Sequence, residues 1–127
     1  EVSESFKNEM IVNQILNLAE KRTGPVEENY WKELIKVFGK KFPALYNDIR
    51  QHCDTPQNIR ICILTVLDIS NDDQAIMLDT TKQRVSNVRR NLNEMLFNES
   101  SSRTLRKNLV VRYNIYGLER STRPKRD

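Results

Sequence analysis

Residues 70–97 read SNDDQAIMLDTTKQRVSNVRRNLNEMLF, two helical patterns joined by a tight turn, with nearly all of the local positive charge on the second. Ser70 with Asp73 three residues on forms a capping box that opens the first helix. Ala75, Ile76 and Leu78 give that helix an apolar side. Asp79-Thr80-Thr81 interrupts the pattern with side chains that bond nearby backbone, and Thr81 is placed to cap the second helix. From Lys82 the apolar positions run Val85, Val88, Leu92, Met95 and Leu96, a helical spacing held over about four turns.

At about 100° per residue, the direction opposite that stripe holds Gln83, Ser86, Asn87 and Arg90. Lys82 and Arg89 fall on one flank and Arg84 on the other. Amides, a hydroxyl and guanidinium groups, with no acid before Glu94, suit a helix lying in a DNA major groove. The expectation is that Gln83, Ser86, Asn87 and Arg90 face base edges of double-stranded DNA. Lys82, Arg84 and Arg89, with Arg106 and Lys107 from the following segment, would contact phosphates. The competing reading is an ordinary solvated helix face, since many surface helices have one apolar and one charged side. Charge asymmetry favours the first. Residues 54–97 sum to −1, yet Lys82 to Arg90 alone carries +4. Residues 1–53 are neutral and residues 98–127 carry +5, which places a basic segment directly after the basic helix.

Without gaps, Thr55 to Phe97 resembles the LuxR/NarL-type helix-turn-helix effector domain. Thr55-Pro56 matches that family's opening. Ser70, Asp73, Ala75 and Leu78 match its scaffold helix, and Thr81, Val85, Leu92 and Leu96 its recognition helix. A closer likeness is to the C-terminal domains of tetratricopeptide-repeat regulators of Bacteroidetes, carried by Trp31, Leu34, Phe38, Phe42-Pro43, the run from Arg60 to Leu67, and Leu96-Phe97. The resemblance implies a sequence-specific DNA-binding unit of a bacterial transcriptional regulator, whose members often dimerise, and adds weight to Ser86, Asn87, Arg89 and Arg90. Two departures stand out. Gln74 occupies a position where the family buries Ile, and Met95 one where it carries Lys.

The fold expected is all-α, a helical bundle containing a helix-turn-helix DNA-binding unit. At 127 residues the chain can bury one hydrophobic core, and three glycines and four prolines are too few for a many-turned sandwich or barrel. Residues 3–21 read as one helix with Phe6, Met10, Ile11, Ile15, Leu18 and Ala19 on a side, stopped by Thr23-Gly24-Pro25. Pro25 opens a second around Trp31, Leu34, Ile35 and Phe38, which Gly39 ends. Phe42-Pro43 starts a third through Leu45, Ile49 and Cys53. Thr55 caps a fourth with Pro56 in its first position and a stripe of Ile59, Cys62, Ile63, Val66 and Leu67. A last helix runs from Ser100 to about Tyr113, although LVVRYNIY, residues 109–116, is also β-capable. Three parts are expected: N-terminal helices at 1–53, the DNA-binding unit with its following helix at 54–118, and a disordered basic tail at 119–127.

Several function classes are set aside. There is no basic-then-apolar leader and no apolar run long enough to span a bilayer, so a cytoplasmic protein without membrane contact is expected. The opening at Glu1 instead of Met is expected of the C-terminal part of a longer regulator. Cys53 and Cys62 are too few for a disulfide framework and read as buried thiols. Adding His52 does not make a zinc pattern, so neither metal nor cofactor is expected. Asn98-Glu99-Ser100 reads as a loop capping the next helix rather than a glycosylation acceptor. No acid–base pair, nucleophile constellation or phosphate-cradling glycine loop is present, so an enzyme is not expected. Two other readings remain: a helical protein-interaction or oligomerisation module, and a sigma-factor region-4-like promoter reader. A weak homodimer is expected, its seam the Phe6–Ile15 stripe in preference to the Leu105–Tyr113 helix.

Overall fold

Three hydroxyl side chains set the starts of three helices in the C-terminal half of the molecule. Thr55 Oγ1 accepts from the Asn58 N–H at 3.2 Å, Ser70 Oγ from Asp73 at 3.2 Å and Thr81 Oγ1 from Arg84 at 3.0 Å. Each satisfies a donor that the first helical turn would otherwise leave open, and Pro56 at the first position needs none. The structure is a computed structural model that describes residues 2–52 and 55–120. Among the described residues it contains eight helices and no strand. These are α1 (Val2–Lys7), α2 (Met10–Lys21), α3 (Glu28–Lys41), α4 (Pro43–His52), α5 (Pro56–Val66), α6 (Asn71–Leu78), α7 (Lys82–Phe97) and α8 (Leu105–Tyr113). The expected all-α class is what is found.

The hub is α5. Ile59, Ile61, Cys62, Ile63, Leu64, Thr65 and Val66 are all buried, so this helix is covered nearly all round rather than along the stripe expected of it. It packs against α3, α4, α7 and α8, which joins the N-terminal helices and the α6–α7 pair in one apolar core. Trp31 of α3 is buried in that core with the Arg60 guanidinium 5.0 Å from its ring centroid. The boundary expected near residue 54 therefore separates stretches of sequence that share one core. Cys53 and Asp54 lie outside the described residues.

The N-terminal stretch departs from expectation in a way that changes which residues are inside. The helix expected over 3–21 is broken at Asn8-Glu9, where Glu9 is extended at φ −66° and ψ 139°. In one continuous helix Met10 would share a face with Phe6. The break turns it outward, 74% exposed, while Val12 takes an inward position. Phe6 itself packs edge-on against Phe38 and Phe42, with ring centroids at 6.0 and 5.1 Å. Lys41 holds the break from outside, donating to Ser5 Oγ at 2.6 Å and lying 3.5 Å from Glu9. Phe6, Ile11 and Ile15 are buried within the single chain, and so are Leu105 and Leu109 of α8. Both stripes considered as dimer seams are thus already used by the fold.

Two helix boundaries differ for identifiable reasons. Pro25 and Val26 stay in the loop before α3, anchored by the Val26 N–H donating to Met77 O at 2.9 Å. Gly39 does not end α3, which runs on to Lys41 and stops at Phe42, the residue that Pro43 forces away from helical geometry. Gly39 lies inside α3 beside the Tyr46 ring of α4, where a Cβ would make an ordinary contact at 3.4 Å. After α8 the chain continues in contact with the core, into the first two residues of the expected tail. Ile115 and Leu118 are buried, and Arg120 donates from its N–H to Asp68 and from its guanidinium to Glu20, at 3.0 and 2.8 Å. The rest of the expected tail, 121–127, lies outside the described residues.

Candidate nucleic-acid interface

α6 and α7 are joined by three residues, Asp79, Thr80 and Thr81. Asp79 takes the left-handed conformation, φ 54° and ψ 51°, and its N–H closes α6 on Ala75 and Ile76. An aspartate tolerates that region better than most side chains, so the turn needs no glycine. The buried side of the pair differs in detail from the sequence pattern. On α6 it is Ala75 and Met77 that are buried, with Ile76 and Leu78 only partly so. Gln74 is fully buried and donates from Nε2 to Ile69 O at 2.9 Å and Thr65 Oγ1 at 3.3 Å. On α7 the inward residues are Val85, Val88, Leu92 and Asn93, while Met95 is 43% exposed.

The outward face of α7 carries Gln83, Arg90 and Asn91, all exposed, with Asn87 half-buried among them and Arg84 exposed on one flank. Gln83 Nε2 donates to Asn87 Oδ1 at 3.0 Å, which aligns two amides one turn apart. Lys82 lies 3.6 Å from Asp72 across the turn, an exposed pair of the kind that contributes little to stability. Arg90 projects from the middle of the helix. One turn further along the same face stands Glu94, also exposed. A carboxylate there repels phosphate, so the anion-compatible part of α7 is its first three turns or so.

Three of the expected site residues are placed otherwise. Ser86 is half-buried and donates from Oγ to Ser102 Oγ at 3.2 Å, which turns it toward the loop before α8. Arg89 leans inward and donates to Asn71 Oδ1 at the start of α6. Burial pulls its guanidinium below the usual arginine range; Asp68 opposes that shift and Arg106 adds to it. Arg106 donates to Val66 O at 3.2 Å and lies 3.6 Å from Asp68 and 3.7 Å from Glu119. Arg89 and Arg106 therefore tie α6, α7 and α8 to the end of α5. They do not reach the outward face. Lys107 is exposed, as expected of a phosphate contact.

No family profile matches the chain, and neither a curated protein nor a solved structure does. Asn91 was missing from the expected set, although it follows Asn87 by one turn and falls on the same outward row. Arg103, exposed in the loop after α7, was also missing, and no periodicity could have placed it. Among the described residues, no group of three or more His, Cys, Asp or Glu is arranged to hold a metal, and no helix is long and apolar enough to cross a membrane.

Proposed function

We propose that this chain is a sequence-specific DNA-binding effector domain of a transcriptional regulator, with α6 and α7 acting as a helix-turn-helix. The first turns of α7 enter the major groove. The observation that carries the reading is the row Gln83, Asn87, Arg90 and Asn91: amide and guanidinium forks on one outward helix face, without a carboxylate until Glu94. Side chains of those two kinds match the paired donors and acceptors of adenine and guanine edges. The resemblance of residues 55–97 to LuxR/NarL-type effector domains points the same way, and the capped, three-residue turn between α6 and α7 suits that motif.

Roles divide by chemistry. Gln83, Asn87, Arg90 and Asn91 read bases, while Lys82 and Arg84 hold phosphates. Ser86, Arg89 and Arg106 position the frame. The test begins with selection of binding sites from a random duplex library, followed by titration of variants on the selected site and on random DNA. Asn87→Ala and Arg90→Ala are expected to lose about 1–3 kcal/mol on the selected site and to relax preference at one position each. Lys82→Ala is expected to weaken both DNAs alike. Failure to enrich any sequence would refute the reading.

A further inference from the structure

The loop between α7 and α8 is short, polar and unusually well held. Asn93 of α7, fully buried, donates from Nδ2 to Ser101 O at 2.8 Å and to Thr104 Oγ1 at 2.9 Å. Its Oδ1 accepts from Asn108 Nδ2 at 2.9 Å, and Asn108 also donates to Glu99 Oε1 at 3.1 Å. The Thr104 hydroxyl donates to the other Glu99 oxygen. Ser86 reaches Ser102 from the side of α7, and the Arg103 N–H donates to Ser101 Oγ at 3.1 Å. Side-chain bonds from α7 and α8 thus fix the loop beside the outward row of α7, on the flank that Ser86 occupies.

Arg103, Lys107 and Glu99 are the exposed charges of this scaffold, a net +1. Arg103 and Lys107 are both exposed, and among the described residues neither forms an ion pair. The loop's one acid, Glu99, is engaged by the Thr104 hydroxyl and the Asn108 amide, which hold its carboxyl below the usual glutamate range with Lys107 adding to the effect. Arg84 stands on the opposite flank of α7, so exposed cations border the outward row on both sides. A double helix offers a phosphate strand on each side of the groove, and a groove-bound helix needs both to fix its register.

We infer that the 98–104 loop is a second phosphate-gripping element, in which Arg103 and the adjoining Lys107 hold the DNA strand that runs along the α8 flank of α7. The inference rests on the DNA-binding reading above and extends it to a surface outside the helix pair. Its occupant is the backbone of duplex DNA, argued from charge complementarity and from continuity with the α7 face. Asn93 and Ser86 are positioning residues for it.

The test is the salt dependence of binding, measured by fluorescence anisotropy of the full chain with a labelled random-sequence duplex. Each phosphate that a variant no longer neutralises lowers the slope of log K against log salt by about 0.9. Arg103→Ala with Lys107→Ala is expected to lower it by nearly two such steps. Lys36→Ala with Lys40→Ala, exposed on α3 outside the proposed surface, is expected to leave it unchanged. If Lys82→Ala weakens binding while the loop pair leaves the slope at the wild-type value, the loop inference is wrong and the α7 reading stands. An equal drop with the α3 pair would also overturn it, since the effect would then be one of net charge. Wild-type protein that does not bind duplex DNA at low salt overturns both.

Discussion

Asn93, Gln74 and Arg89 are polar residues that the fold takes inside, and each has partners that its own stretch of sequence does not contain. Asn93 finds Ser101, Thr104 and Asn108, eight to fifteen residues on. Gln74 finds Thr65 and the Ile69 carbonyl behind it for its Nε2, while its Oε1 is buried without a hydrogen-bond partner. Periodicity ranks such residues as surface because it counts apolar atoms and not satisfied hydrogen bonds. The same blindness affects Arg89 and Arg106, read as phosphate contacts but recruited by Asn71, Asp68, Glu119 and the Val66 carbonyl. Glu99 gives a residue-scale prediction. Its carboxyl is held low, first by the Thr104 hydroxyl and then by the Asn108 amide, both bonding the charged form. A folded value below the unfolded one adds stability that is present above the unfolded value, near pH 4.3, and is lost as pH falls through the folded value. Wild type should therefore melt above Glu99→Gln near neutral pH, with the gap closing in acid below about pH 4. A gap that stayed constant through that range would show that ionisation of Glu99 does not support the loop.

At the scale of elements, the hydroxyl caps were legible because they are local. Thr55, Ser70 and Thr81 each bond an N–H three residues away, so the sequence window that suggests a cap contains the whole interaction. The break at Asn8-Glu9 was hidden because nothing there forbids a continuous helix. It arises where Phe6 enters the Phe38 and Phe42 cluster while α2 turns to cover α3 and α6, with Lys41 tying Ser5 and Glu9 together. Gly39 misled in the other direction, since a glycine reads as a stop although α3 runs through it to Lys41. The consequence concerns assembly. Ile11 belongs to the interior, so Ile11→Lys should destabilise the monomer by roughly 2–5 kcal/mol, the range for emptying such a site, instead of splitting a dimer. Denaturant unfolding alongside sedimentation distinguishes the two. An unchanged unfolding midpoint with a reduced sedimentation coefficient would restore the stripe as a seam between chains.

On the scale of the whole molecule, α5 decides how the proposed recognition helix is supported. Buried nearly all round, it contacts α3 and α4 on the N-terminal side and α7 and α8 on the other, so the outward row of α7 is backed by the same core that encloses Trp31. The Val26 N–H on Met77 O and the Arg22 guanidinium 3.2 Å from Asp73 tie the α2–α3 loop directly to α6. The Arg120 contacts with Glu20 and Asp68 close the far end of the chain onto α2 and the end of α5. A core of this kind predicts a single cooperative unit rather than a DNA-binding domain with a separable N-terminal piece. Trp31→Ala tests it at a distance. Emptying that site should cost roughly 3–5 kcal/mol. If the chain opens as one unit, the slowest-exchanging amides of α7, at Val88 and Leu92, should lose as much protection as those of α3, although neither residue lies on the helix that carries the substitution. Native-state hydrogen exchange reads both sets in one sample. Protection lost in α3 with α7 unaffected would mean that the two halves open separately, and the N-terminal helices would then be an attachment to the α6–α7 pair instead of its foundation.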